Sequence, residues 1–125
     1  MKNTPIVQIS DMTFEDSCYN RKEKRWNAST LYRYAEKLKL KPFDATIASF
    51  DLNISAFSLD NLAQFIFQCK RVNDCNLDYP IILDDYGTIA DGYHRLCKAI
   101  LEGKTTIKAI RLSDMPEPDD IINEE

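Results

Sequence analysis

The fold is decided by residues 80–95, which read Pro80-Ile81-Ile82-Leu83-Asp84-Asp85-Tyr86-Gly87-Thr88-Ile89-Ala90-Asp91-Gly92-Tyr93-His94-Arg95. An apolar run, a turn at residues 85–87 and a second short run predict a hairpin of two strands, 81–84 and 88–90. Apolar residues at helical spacing follow, and Gly103 is typical of a helix end, so a helix is predicted that buries Leu96, Cys97, Ile100 and Leu101. A last strand is predicted at 106–112. The order predicts an α/β (α+β) class with a small mixed sheet.

The start of that helix is the predicted functional site. It holds the only histidine of the chain, His94, next to Arg95. The first N–H groups of a helix have no intrahelical acceptor, so they can hold an anion. Arg95, which is predicted to be exposed, can grip two phosphate oxygens, and Lys98 lies three positions on, near the same face. A phosphate-binding site is therefore predicted.

Neighbouring residues have more than one reading. Gly92 either lets a ligand approach the backbone or permits the strand-to-helix turn. His94 could donate to phosphate, stack on a base, move a proton or cap the chain. Asp91 is read first as the N-cap and second as a Mg²⁺ ligand. Asp84 and Asp85 are read as turn formers before metal ligands.

The motif Asp91-Gly92-Tyr93-His94-Arg95, with the preceding Pro-Ile-Ile-Leu-Asp strand and the following 106–110 strand, resembles the ParB/sulfiredoxin superfamily. The resemblance covers roughly Phe43 to Leu112. It implies a nucleoside triphosphate, ATP or CTP, held with Mg²⁺ at the helix start. Carried onto this chain, it makes Gly92, Tyr93, His94, Arg95 and Lys98 nucleotide-binding, Asp91 and His94 catalytic, and Asp91 the metal ligand.

The chain departs from two branches of that superfamily. Tyr93 stands where sulfiredoxin has its reactive cysteine, and Cys97 is predicted to be buried, so sulfinic-acid reduction is disfavoured. There is no room for the further domains of a partition ParB. The first hypothesis is a stand-alone nucleotide-binding domain, with Mg-dependent nucleotide hydrolysis or phosphotransfer as its chemistry. The alternative is a non-catalytic DNA-associated or protein-binding module, and the third is a metal-dependent nuclease using Asp84, Asp85 and Asp91. A homodimer is left open.

Two further helices and a strand are predicted upstream. Leu31, Tyr34, Ala35 and Leu38 form one apolar helical face, and Pro42 ends that helix. A strand is predicted over 45–52. A second helix, capped by Ser58 and ending near Val72, is predicted to bury Leu59, Leu62, Ala63, Ile66 and Cys69. Residues 16–26 are read as a loop or exposed helix, Ile6, Val7 and Ile9 as a short strand, and Trp26 as packed in a core or interface.

Composition predicts one soluble, cytoplasmic domain. The chain has 125 residues, of which 44% are hydrophobic. No apolar run approaches the ~20 residues that cross a bilayer, and no secretory signal is recognised. The predicted organisation is an extension at 1–26, a ParB/sulfiredoxin-like domain at 27–112 and an acidic flexible tail at 113–125. Four cysteines without a C-x-x-C pair predict free thiols rather than a zinc site.

Basic residues cluster in the segment 21–41, which we call the basic segment, although the net charge of the chain is −4. A solvated helix accounts for such a cluster, and DNA binding is the alternative. The residues proposed to contact DNA are Arg21, Lys22, Lys24, Arg25, Lys37, Lys39 and Lys41.

Overall fold

The computed structural model describes residues 4–8, 17–57 and 59–122. Its helices are α1 (Ala28–Lys37), α2 (Leu62–Asp74) and α3 (Tyr93–Leu101), with a short 3-10 turn at Ile47–Ser49. Its strands are β1 (Cys18–Arg21), β2 (Lys24–Asn27), β3 (Phe43–Thr46), β4 (Ile81–Leu83), β5 (Ile89–Asp91), β6 (Thr106–Arg111) and β7 (Asp120–Ile121). The predicted α+β class is confirmed.

The central sheet has the order β3-β6-β4-β5. β4 runs parallel to β6, whereas β4–β5 and β3–β6 are antiparallel, so the sheet is mixed as predicted. Alternate residues of β4 point to opposite faces. Ile81 and Leu83 pack with Leu96 of α3, and Ile82 packs with Leu31 of α1. The sheet therefore separates two apolar clusters, one under α3 and one under α1.

A second sheet joins the two ends of the described chain. Its order is β1-β2-β7, with Arg25 opposite Asp120. Trp26 is buried as predicted, and its Nε1 donates to the carbonyl of Pro116 at 2.8 Å. The segment 17–26 is thus a hairpin rather than a loop or helix, and residues 119–122 hydrogen-bond to it rather than forming a free tail. Residues 4–8 contain no strand, and Ile9 lies outside the described residues.

α1 and β3 differ from prediction at their ends. Leu31 and Ala35 are buried as predicted, but Leu38 is exposed. α1 ends at Lys37, before Pro42, because the chain turns through Lys39, which has a φ of 56°. The strand predicted over 45–52 is wrong in extent. It ends at Thr46, where the chain tightens into the 3-10 turn and the Ser49 hydroxyl donates to the Thr46 carbonyl.

α2 lies on the outside, and none of its residues is buried. The predicted burial of this face is wrong, because all five of its residues are exposed: Leu59, Leu62, Ala63, Ile66 and Cys69. The N-cap is Asn61, whose side chain accepts from the backbone N–H of Gln64; Ser58, the predicted cap, lies outside the described residues. Across the described ranges, no helix has both the length and the apolar composition to span a membrane.

α3 stops where the sequence predicted, with Gly103 at a φ of 77° just after it. Its inward face is only partly the predicted one. Leu96 and Ala99 are buried, Cys97 is half-buried, and Ile100 and Leu101 are exposed. The predicted burial of Ile100 and Leu101 is wrong because α3 packs on the sheet through a single narrow stripe.

Candidate functional site

The strand-to-helix junction depends on Gly92. This residue is the N-cap of α3 and has a φ of 119° and a ψ of 20°. A Cβ placed on it would lie 2.3 Å from Cγ2 and 2.6 Å from Cβ of Ile81. Both the backbone conformation and close packing against β4 therefore require glycine here. Asp91 is the last residue of β5 and not the N-cap, so that reading is wrong.

Arg95 is turned toward the protein rather than outward. Its guanidinium donates to Asp91 Oδ2 at 3.0 Å, to the Tyr32 hydroxyl at 2.7 Å and to the Pro80 carbonyl at 3.0 Å. The Tyr32 hydroxyl itself donates to Asp91 Oδ2. The side chain of Arg95 is only 15% exposed. The prediction that Arg95 is exposed and grips phosphate is thus wrong in its exposure. The guanidinium joins α3 to β5 and α1 through its hydrogen bonds to Asp91 and Tyr32, and we call these three residues the Arg95 clasp.

His94 is half-buried, and its imidazole is neutral at neutral pH. Its Nε2 is 2.6 Å from Gln68 Oε1, and its ring packs on Phe57 with centroids 4.5 Å apart. Burial, followed by the charges of Arg71 and Arg95, lowers the pKa of His94 to about 4. With the proton on Nε2, the ring donates to Gln68 and keeps Nδ1 as an acceptor. So weak a base is poorly matched to proton transfer near pH 7.

Lys98 is directed to the end of α2. Its Nζ donates to the carbonyls of Asn73 and Cys75 at 3.0 and 2.7 Å. A lysine there satisfies carbonyls that a helix C-terminus leaves without partners. The structure therefore does not bring Lys98 together with Gly92, Tyr93 and His94.

The three aspartates are engaged by donors of the protein itself. Asp84 is buried and accepts from the Tyr19 hydroxyl and from the backbone N–H groups of Tyr86 and Thr88, which makes it a turn former. Asp85 pairs with Arg21 at 2.6 Å, and Asp91 pairs with Arg95. Among the described residues, no group of three or more His, Cys, Asp or Glu is arranged to hold a metal ion. The aspartates do not fit a protein-built Mg²⁺ site.

Tyr93 of the motif and Cys97, two residues after it, lie at the positions that matter for thiol chemistry. Tyr93 is half-buried, packs against the cluster under α3 and lies 3.4 Å from the Ile89 carbonyl through its hydroxyl. Burial raises the pKa of the half-buried Cys97 thiol. A thiol with a raised pKa is a poor nucleophile at neutral pH.

A cleft of about 920 Å³ opens at the start of α3. One wall is the start of α3, from Gly92 to Arg95; the second is α2, and the third is the β1 edge with Tyr19 and Asn20. Gln64, Gln68 and Arg71 line it from the face of α2 opposite the exposed apolar one. The N-cap, Gly92, makes no side-chain cap hydrogen bond, so among the described residues no cap satisfies the first-turn N–H groups of α3, which have no intrahelical acceptor.

Arg71 is among the cleft residues that the sequence did not identify. Its side chain is exposed and lines the cleft. The signal was present, because Gln64, Gln68 and Arg71 recur at helical spacing on the face of α2 opposite Leu62 and Ile66. Within the described ranges no acid is paired with Arg71, whereas Arg95 is neutralised by Asp91 and the cleft's Asp74 by Lys70.

The basic segment is divided between paired and solvent-facing groups. Arg21 pairs with Asp85 and stacks on Trp26 and Tyr86, and Arg25 pairs with Asp120 at 3.2 Å. Lys22, Lys24, Lys37, Lys39 and Lys41 are exposed. DNA binding by this segment stays a prediction, now resting on the lysines.

No protein-family model, curated protein or solved structure matches this chain. The ParB/sulfiredoxin resemblance therefore stays a hypothesis based on the residues of the motif.

Proposed function

We infer that this protein binds a phosphate-bearing ligand, a nucleotide, in the cleft between α2 and the start of α3. The observation that carries this proposal is that the uncapped α3 N-terminus and Arg71, which pairs with no acid among the described residues, line the same cleft. Backbone N–H groups and the positive end of the helix dipole favour an anion at such a position. Arg71 adds a full positive charge and a planar pair of donors.

The rest of the cleft suits the remainder of a nucleotide. Aromatic side chains line it, among them Phe57, Phe67 and Tyr79, together with the amides of Asn20 and Asn76. Aromatic faces can stack on a base, and amides can bind its polar edge. At about 920 Å³ the cleft is within the range of small-ligand sites. Tyr79 is largely exposed, so the base end is the open end.

Binding without turnover is the form of the hypothesis that the geometry favours. His94 is a weak base with a pKa of about 4, and Asp91 is held by Arg95 and Tyr32. The two residues that the motif nominated for catalysis are thus occupied in packing and hydrogen bonding. A Mg²⁺ bound mainly by the ligand's phosphates would need no protein cage.

Calorimetry with Arg71→Ala tests the proposal. ATP, CTP, GTP, UTP and pyrophosphate are titrated into the wild type, with and without Mg²⁺. Losing a charge-assisted contact should weaken the best ligand roughly 10- to 100-fold. Arg33→Ala is the matched control, since Arg33 is exposed on α1 and does not line the cleft. Unchanged affinity in Arg71→Ala, or no heat with any of these ligands, contradicts the proposal.

A further inference from the structure

Among the described residues, the outer face of α2 is an exposed apolar surface. Leu62, Ala63, Ile66 and Cys69 recur at helical spacing and are all exposed. Leu62 is 71% exposed and Ile66 is 40% exposed. A helix with an apolar stripe normally buries it against a partner. Single exposed apolar residues are ordinary, but a contiguous stripe marks an interaction site.

Neighbouring residues extend this stripe into one larger surface. A groove of about 690 Å³ runs between α2 and α3, with Phe65 on one side and Leu101 on the other. Leu101 is 79% exposed, and Leu59 adds a further exposed side chain at the α2 end of the groove. We call the set Leu59, Leu62, Phe65, Ile66 and Leu101 the α2–α3 apolar surface. Its stripe lies opposite the face of α2 that lines the ligand cleft, so the surface is not explained by that cleft.

The charges along α2 indicate what covers this surface. Asp60 lies just before the helix, and Lys70 lies in its last turns. In an antiparallel pairing of two such helices centred near Phe65 and Ile66, Asp60 of one copy comes opposite Lys70 of the other. The same pairing places Leu62 opposite Gln68, one residue from Cys69. Antiparallel alignment also sets each helix dipole against the other, so a second copy is complementary in both charge and shape.

We propose that two copies of this chain associate through their α2–α3 apolar surfaces, with the two α2 helices antiparallel across a twofold axis. The axis produces two equivalent Asp60–Lys70 contacts at the ends and an apolar centre. Lys70 already pairs with Asp74 and is still 45% exposed, so it can bridge both carboxylates. A helix of 13 residues is about 20 Å long, so the interface is at the small end of specific interfaces. We therefore expect a dissociation constant in the micromolar range.

Analytical ultracentrifugation from about 1 to 500 µM tests the dimer, a range that brackets micromolar dissociation constants. The wild type should shift from monomer to dimer across this range. Leu62→Glu and Ile66→Glu each place a charge in the apolar centre and should leave only monomer. Ile121→Glu is the matched control, because Ile121 is 50% exposed on β7 of the other sheet. It should dimerise as the wild type does, with circular dichroism confirming the fold of each variant.

A charge exchange tests the antiparallel arrangement itself. Asp60→Lys should weaken dimerisation roughly 10-fold, since each copy loses one attraction and gains one repulsion. Adding Lys70→Asp to Asp60→Lys should restore it. A wild type that stays monomeric at every concentration overturns the proposal, as does a dimer that Leu62→Glu leaves intact. A double variant no better than Asp60→Lys alone overturns the antiparallel register.

Discussion

Replacing Gly92 by alanine should destabilise the fold through two separate effects. The residue has a φ of 119°, where a side chain is strained. The added methyl would also lie 2.3 Å from Ile81 Cγ2 and 3.2 Å from Ile81 Cα. Ile81 is fully buried in the central strand and cannot move aside freely. Left-handed strain costs about 1–2 kcal/mol and overpacking about 1–3 kcal/mol, so the free energy of unfolding should fall by roughly 2–5 kcal/mol.

Gly103→Ala is the matched control for this variant. Gly103 also has a positive φ, 77°, but nothing lies within 4 Å of an added Cβ. It should therefore cost only the strain, about 1–2 kcal/mol, less the entropy that alanine removes from the unfolded chain. Urea denaturation followed by circular dichroism measures both variants. If Gly92→Ala is no more destabilising than Gly103→Ala, the close packing of Gly92 on Ile81 is refuted.

Further predictions concern His94 and Arg95, the last two residues of the motif. Arg95→Ala should lower the free energy of unfolding by about 2–4 kcal/mol, because it leaves the half-buried Asp91 without its cation. Urea denaturation measures this loss. A loss under about 0.5 kcal/mol would show that the Arg95–Asp91–Tyr32 hydrogen bonds do not stabilise the fold. The single histidine signal in NMR should titrate near pH 4 and not near pH 6.5, because burial and two arginines oppose protonation of His94. As the pH falls, His94 takes up its proton in the unfolded chain at a higher pH than in the folded protein. The free energy of unfolding should therefore be highest above about pH 6.5 and should decrease as the pH falls toward 4. In His94→Gln this decrease should be absent.

The local order of elements around the motif could be predicted, because its signals are local. The hairpin turn at 85–87, the helix stop at Gly103 and the strand after it follow from nearby residues alone. The β1-β2-β7 sheet could not be predicted, since it joins Arg25 to Asp120 across nearly the whole chain. The basic segment and the acidic tail were each predicted to be solvated, whereas Arg25 of the first pairs with Asp120 of the second.

Side-chain direction was the harder part of the site. Periodicity identified the apolar face of α2 correctly, but it carries no information on whether the chain itself covers that face. Arg95 was predicted to contact a ligand because the motif was given more weight than the position of Arg95 four residues after Asp91. Asp91 and Arg95 are four residues apart, although the clasp that joins them spans the end of β5 and the first turn of α3. Arg71 was overlooked because a single arginine on a helix is common, and only the cleft gives it meaning.

The most direct measurement of the proposed ligand site is an NMR titration of the ¹⁵N-labelled protein with pyrophosphate and then with ATP. We expect the largest shifts at the backbone N–H groups of Tyr93, His94 and Arg95 and at the Arg71 side-chain Nε–H. Pyrophosphate alone should move these signals, and ATP should add shifts at Tyr79 and Asn76. Shifts that are absent at the start of α3, or largest at the lysines of the basic segment, would contradict it.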